Sequence, residues 1–144
     1  MKMQPLNVET IPLQGRHLIE ASAGTGKTYN ITRIYLRLLL ERQLDVQQIL
    51  VMTFTRAATE ELRGRIAQEL RNALEAWSDP APSDPFLATL IQRVDAQQAI
   101  PRLKQALLHL DEAAIFTIHG FCKRVLTQQA FASGAHFNQE MEAD

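Results

Sequence analysis

The run Ala21-Ser22-Ala23-Gly24-Thr25-Gly26-Lys27-Thr28 constrains this chain more than any other feature, because it lies between a short apolar segment, His17–Glu20, and a long amphipathic stretch. Strand, glycine-bearing turn and helix, in that order, make a phosphate-binding loop. Backbone N–H groups converge on an anion, the helix presents the positive end of its dipole, a lysine reaches the outer phosphates and a Ser/Thr hydroxyl ligates Mg²⁺. The usual pattern opens with glycine where this chain has Ala21. Alanine is the smallest replacement, and Gly24 and Gly26 still supply positions free to take positive φ. A glycine-rich turn that only caps a helix is the plainer reading, and it leaves the intact Gly-Lys-Thr unexplained. The expected ligand is a nucleoside triphosphate.

The periodicities along the rest of the chain alternate as in an α/β protein. Ile31, Ile34, Tyr35, Leu38 and Leu39 recur at helical spacing, predicting one buried stripe on the helix after the loop. Ile49-Leu50-Val51-Met52-Thr53-Phe54 is a continuous apolar run, the pattern of a central parallel strand covered on both faces. Thr55 then caps a predicted helix to about Trp77, with Ala58, Leu62, Ile66, Leu70, Ala73 and Trp77 on one side. Prolines 80, 82 and 85 punctuate the chain. Two further helices are predicted over Phe86–Val94 and Arg102–Leu110, the second opened by Pro101. A second strand, Ala114–Ile118, leads through His119-Gly120 to a helix from Phe121 to about Phe131, stopped by Ser133-Gly134. The expected organisation is β-α units over 1–77, a helical insertion over 78–112, a strand and helix over 113–134, and a linker over 135–144.

Composition narrows the function classes. A chain of 144 residues with 46% hydrophobic content can bury one domain core. Its formal net charge of −1 provides no global basic field, so any nucleic-acid contact must rest on local groups. The single cysteine, Cys122, excludes an intrachain disulfide and sits in an apolar helix pattern that reads as a small core residue. Without a signal-peptide pattern or an apolar run near the roughly 20 residues of a membrane span, the expected location is cytoplasmic.

Three separated segments then carry a family resemblance. The loop 20–28, the strand-to-helix segment 49–66 and the segment 116–126 (Phe-Thr-Ile-His-Gly-Phe-Cys-Lys-Arg-Val-Leu) resemble, in order and spacing, motifs I, Ia and Ib of UvrD-like superfamily 1 DNA helicases. Within that family, Pro12–Gly15 leading into 18–23, together with 111–122, is most similar to the RecB-type subfamily of helicase–nuclease subunits, in which the Ala21 departure is ordinary. The resemblance spans roughly residues 11–140 and implies a RecA-like parallel sheet flanked by helices, the partial first motor domain of an ATP-dependent DNA helicase with nuclease activity in the full-length chain.

Carried residue by residue, the resemblance implies that Lys27 contacts the β and γ phosphates of ATP and Thr28 the Mg²⁺, while the backbone from Ala21, Ser22 and Ala23 through Gly24, Thr25 and Gly26 wraps the phosphates. Tyr29 stands where relatives often carry an arginine against the adenine; its ring can stack on the base or pack on its own domain. Gln14 takes the place of an adenine-reading glutamine. Thr53, Phe54, Thr55 and Arg56, with Thr117 and His119 at the next strand exit, are the implied contacts to single-stranded DNA, consistent with ligands gathering at strand carboxyl ends. Without the resemblance Phe54 reads as a core residue and His119 as a loop residue. Arg63, Arg65, Lys123 and Arg124 read as solvated helix charges.

No apolar strand ending in Asp-Glu follows the loop, because Asp111-Glu112 precedes a strand. The family's acidic pair, its arginine motifs, second motor domain and nuclease domain are likewise absent from these residues. The expectation is therefore an N-terminal piece of a larger helicase subunit, unable to hydrolyse ATP alone, with RecC-like and RecD-like partners and duplex DNA ends as substrate. The contrasting expectation is a self-contained nucleotide-binding interaction module; a small kinase fits less well, since no lid arginines follow the loop.

Overall fold

Threonine at position 55 ends one element and begins another. Its extended backbone (φ −129°, ψ 155°) closes the strand, and its Oγ1 accepts from the Ala58 N–H at 3.0 Å, satisfying one of the donors that every helix start leaves open. The computed structural model describes residues 5–20, 26–79 and 81–132. In chain order these form α1 (Lys27–Leu40), β1 (Val51–Thr53), α2 (Arg56–Trp77), α3 (Pro85–Arg93), α4 (Ala96–Leu108), β2 (Ile115–Thr117) and α5 (Ile118–Ala132), with 3₁₀ turns at Val46–Gln48 and Leu110–Glu112. The two strands pair in parallel, Val51 opposite Ile115, Met52 opposite Phe116 and Thr53 opposite Thr117. An α/β architecture is thus observed, with a small sheet.

The central element is α2, which packs against α1, α3, α4 and both strands. Leu62, Ile66, Leu70 and Ala73 line its inward face and meet Leu36 and Leu39 of α1, Leu90 of α3, Leu103 of α4 and Ile115 of β2 in one buried cluster. Each fully buried Leu or Ile there contributes on the order of 2 kcal/mol of transfer free energy. Ala58 lies exposed in the first turn of α2, where Thr59 is buried instead, and at the far end Ala76 is buried and Trp77 half-buried.

Several expectations need correction. His17–Glu20 forms no strand, and Leu18 is 83% exposed. The run 49–54 contributes only three residues of strand, and Leu50 and Met52 are exposed, because a two-stranded sheet covers one face and leaves the other in solvent. On α1 the buried stripe is rotated: Thr32, Arg33, Leu36, Arg37 and Leu40 join Tyr35 and Leu39, while Ile31 is 41% exposed. Two arginines turn inward because they find carboxylate and carbonyl partners there. The fourth helix starts at Ala96, capped by Asp95, so Pro101 lies inside it. Only the early turn loses a bond, since the missing N–H would have served Gln97. His119 and Gly120 belong to the first turn of α5, and Cys122 is exposed on a helix that buries no residue. Ala21–Thr25, Ser133-Gly134 and the expected linker 135–144 lie outside the described residues.

Candidate nucleotide and nucleic-acid site

Parallel pairing decides the geometry of the strand exits. Because Thr53 is opposite Thr117, the segments that follow both strands leave the sheet at the same edge and level. All three candidate threonines are occupied there. Thr53 Oγ1 lies 2.5 Å from Thr59 Oγ1 and 3.2 Å from the Thr55 carbonyl; Thr55 caps α2; Thr117 Oγ1 accepts from the Gly120 N–H at 2.9 Å. A Cβ on Gly120 would stand 3.0 Å from Thr117 Oγ1, so glycine permits this close turn. The threonines shape the two helix starts, and the surface is left to Phe54, Arg56 and His119, all exposed. Phe54 is 90% exposed, which disposes of its reading as core. A solvent-facing phenyl forgoes about 1.5–3 kcal/mol of burial. Behind this edge Phe116 and Phe121 stack at 6.3 Å between centroids and Arg124 lies 5.1 Å over Phe116, holding α5 against β2.

At the start of α1, Gly26 adopts the left-handed region (φ 88°, ψ 20°) as N-cap, followed by exposed Lys27 and half-buried Thr28. No Cβ clash would arise at Gly26, since nothing lies within 4 Å of that position; the glycine is demanded by backbone conformation alone. No acidic residue occupies the first turn, so the helix dipole and Lys27 act on an approaching anion without an opposing carboxylate. Gln14 is exposed and its carbonyl pairs with His17 Nε2 at 2.7 Å.

Tyr29 packs on its own domain. Its ring packs on the Arg33 guanidinium, 4.4 Å from the centroid, while 51% of the residue stays exposed. Arg33 itself is 6% exposed and also lies 4.7 Å over the Phe86 ring. Its Nη2 donates to Asp84 Oδ2 at 2.5 Å, and Nε is 3.3 Å from Glu69 Oε1 without hydrogen-bond alignment. Burial works to lower the Arg33 pKa, but the Asp84 hydrogen bond and the two carboxylate charges prevail and raise it. The same hydrogen bond holds Asp84 below the usual carboxylate range, whereas burial pushes Glu69 up despite Arg33. Burial likewise carries the Tyr35 hydroxyl up to about 12.

Sequence reasoning missed this cluster. It also missed Arg37, whose Nη1 donates to the Val8 and Ile11 carbonyls at 3.0 and 2.7 Å and so ties the segment before Gln14 to α1. The Asp84-Pro85 pair is a helix-start signal that could have located the cap; nothing local pairs Asp84 with Arg33. Arg63, expected to be solvated, donates to the Leu110 carbonyl at 2.7 Å, while Arg65 is exposed beside Glu61.

The chain is an α/β domain with a left-handed glycine before Lys-Thr and two parallel strands, the first followed directly by an exposed aromatic. Residues 2–144 match the UvrD/REP helicase N-terminal domain, and the chain belongs to that family. Among its relatives it is similar to the RecBCD enzyme subunit RecB of Haemophilus influenzae, 48% identical over 97% of this chain, and to that of Escherichia coli, 47% identical over 93%. The subunit RecB of Buchnera aphidicola from Schizaphis graminum is 43% identical over 89% of the chain. The chain spans 12–13% of the length of these relatives.

Proposed function

We propose that these residues are the ATP-binding part of an ATP-dependent DNA helicase/exonuclease subunit that acts in recombinational double-strand break repair in the cytoplasm. The observation that carries this reading is the register Thr53 opposite Thr117, which brings both segments matched to DNA-contacting motifs to one edge with the Phe54 ring in solvent. There Phe54 stacks on a base, and Arg56 and His119 meet the strand's backbone. Thr53, Thr55 and Thr117 set the turns that present them.

The start of α1 suits a triphosphate: Gly26 is left-handed, Lys27 is exposed, and no carboxylate competes in the first turn. In this reading the domain is part of a RecA-like motor, Lys27 holds the outer phosphates and Thr28 is the ligand this chain offers to Mg²⁺. Ala21, Ser22, Ala23, Gly24 and Thr25 complete the cradle, and Gln14 and Tyr29 address the base. Bound MgATP supplies the energy of strand translocation through closure of two motor domains. Among the described residues no group of three or more His, Cys, Asp or Glu converges as a metal site, so the acidic partner of Thr28 is expected from outside them. RecC-like and RecD-like subunits and duplex DNA ends are the corresponding partners. The exposed apolar residues Leu50, Met52, Leu126 and Phe131 favour this reading over a self-contained module, which would leave that surface in water.

The test is calorimetric titration of MgATP into the intact protein and into Lys27→Ala, with a single-stranded oligonucleotide titrated separately. The expected result is loss of ATP binding in Lys27→Ala with oligonucleotide binding retained. Equal ATP affinity in both proteins would remove the phosphate site from the proposal.

A further inference from the structure

Tyr29 is the third residue of α1, one turn before Arg33, so an i, i+4 pair places the guanidinium under the ring. An unsupported surface tyrosine there would sample several rotamers, and ordering it on a ligand would cost part of the binding energy. Here the ring rests on a cation that is itself immobilised. The Phe86 ring also meets the guanidinium at 4.7 Å, Asp84 accepts from Nη2, and Glu69 flanks Nε, so groups from α2 and from the start of α3 converge on one side chain of α1. Asp84 does this while its other oxygen caps α3 through the Phe86 N–H at 2.9 Å. This support leaves half of Tyr29 in solvent, directly after Lys27-Thr28.

We propose that Arg33 is a positioning residue for the nucleotide base: it fixes Tyr29 so that the exposed ring face receives the base of a triphosphate held at Lys27. Asp84 and Phe86 make the segment opening α3 part of that support. The cation beneath the ring also draws electron density from it, which favours stacking against an electron-rich purine. A guanidinium serves here and an ammonium does not, because a planar fork can pack on aromatic rings while donating to Asp84. This inference rests on the proposal that a nucleoside triphosphate occupies the loop and that Tyr29 addresses its base.

A merely structural Arg33, joining three helices, would change stability and weaken all ligands of the loop alike. Positioning predicts a loss confined to ligands that carry a base. The experiment measures dissociation constants of Mg-ATP and Mg-tripolyphosphate for the intact protein, Tyr29→Ala, Arg33→Lys and the double variant, with thermal melting as a control. Base stacking of about 1–3 kcal/mol makes the expected loss in Tyr29→Ala roughly tenfold for ATP, with tripolyphosphate unchanged. Arg33→Lys is expected to weaken ATP several-fold, to spare tripolyphosphate, and to add nothing in the Tyr29→Ala background. Asp84→Asn, at a partly exposed position, serves as the second variant and should shift the same ratio in the same direction. A ratio unchanged in Arg33→Lys and Asp84→Asn but altered in Tyr29→Ala overturns the role of Arg33 alone. An unchanged ratio in Tyr29→Ala overturns the base platform and the inference together.

Discussion

Replacing Phe54 by alanine separates DNA contact from folding more cleanly than any other change in this domain. The ring is 90% exposed, so its removal leaves no cavity and should alter stability by less than about 0.5 kcal/mol. If the ring stacks on a base, its loss costs about 1–3 kcal/mol, a roughly 5- to 150-fold rise in Kd for single-stranded DNA. Phenylalanine is uncharged and releases no counterions, so the dependence of log K on log salt should keep its slope. The neighbouring Arg56→Ala should instead flatten that slope by about 0.7, the signature of one lost phosphate contact on a single strand. Fluorescence anisotropy of a labelled oligonucleotide at several salt concentrations reads both quantities, with MgATP binding as the control. An unchanged Kd in Phe54→Ala would refute the stacking role, and a slope that moved with it would mean the substitution had disturbed the charged edge.

Two further changes probe the scaffold. Gly26→Ala meets no atom but forces an L-residue to φ 88°, so it should destabilise by about 1–2 kcal/mol in a urea melt and weaken MgATP; a neutral result would show that the left-handed cap is dispensable. Asp84 has a folded pKa below its unfolded value, so the stability it contributes is present above the unfolded pKa near 4 and is lost as pH falls through the lower folded value. The stability gap between wild type and Asp84→Asn should accordingly be full at pH 7 and shrink below about pH 4, measured by denaturation across that range. Glu69 has the opposite sign: its raised pKa means a penalty at neutral pH that acid relieves. A gap that stayed constant through that acid range would mean that the Asp84 carboxylate contributes nothing to the Arg33 pair.

What was legible in the sequence was what local chemistry fixes. Thr55 reads as a helix cap from its neighbours alone, and Leu62, Ile66 and Leu70 mark the inner face of α2 by spacing. Gly26 was legible as a position free to take positive φ before the helix for the same reason. Burial of a strand, however, depends on how many strands flank it, which explains why the run 49–54 promised two covered faces and Met52 has only one. On α1 a period count saw Ile31, Ile34, Tyr35, Leu38 and Leu39 as the buried stripe, found Tyr35 and Leu39 correctly, and missed Arg33 and Arg37 because arginine is scored as polar. Arg33 and Arg37 turn inward for partners at residues 84, 69, 8 and 11, pairings no window of neighbouring residues can contain.

Register is what converts two motifs into one surface. A one-residue slip between β1 and β2 would displace one exit by about 3.3 Å and reverse which face each side chain occupies. Phe116 would then leave its stack with Phe121, and Ile115 would leave the buried cluster beside Ile66 and Leu70. Core packing therefore holds the register, and the register holds Phe54 and His119 at one edge. The helical segment 85–108 contributes to the same outcome from the other side: Leu90 and Leu103 fix α2, whose capped start follows Phe54 directly. That segment also supplies Phe86, and Asp84 precedes it, beneath Tyr29. One helical segment thus braces both the strand exit and the residue beside Lys27-Thr28, which sets the candidate DNA edge and the candidate nucleotide site on a common support.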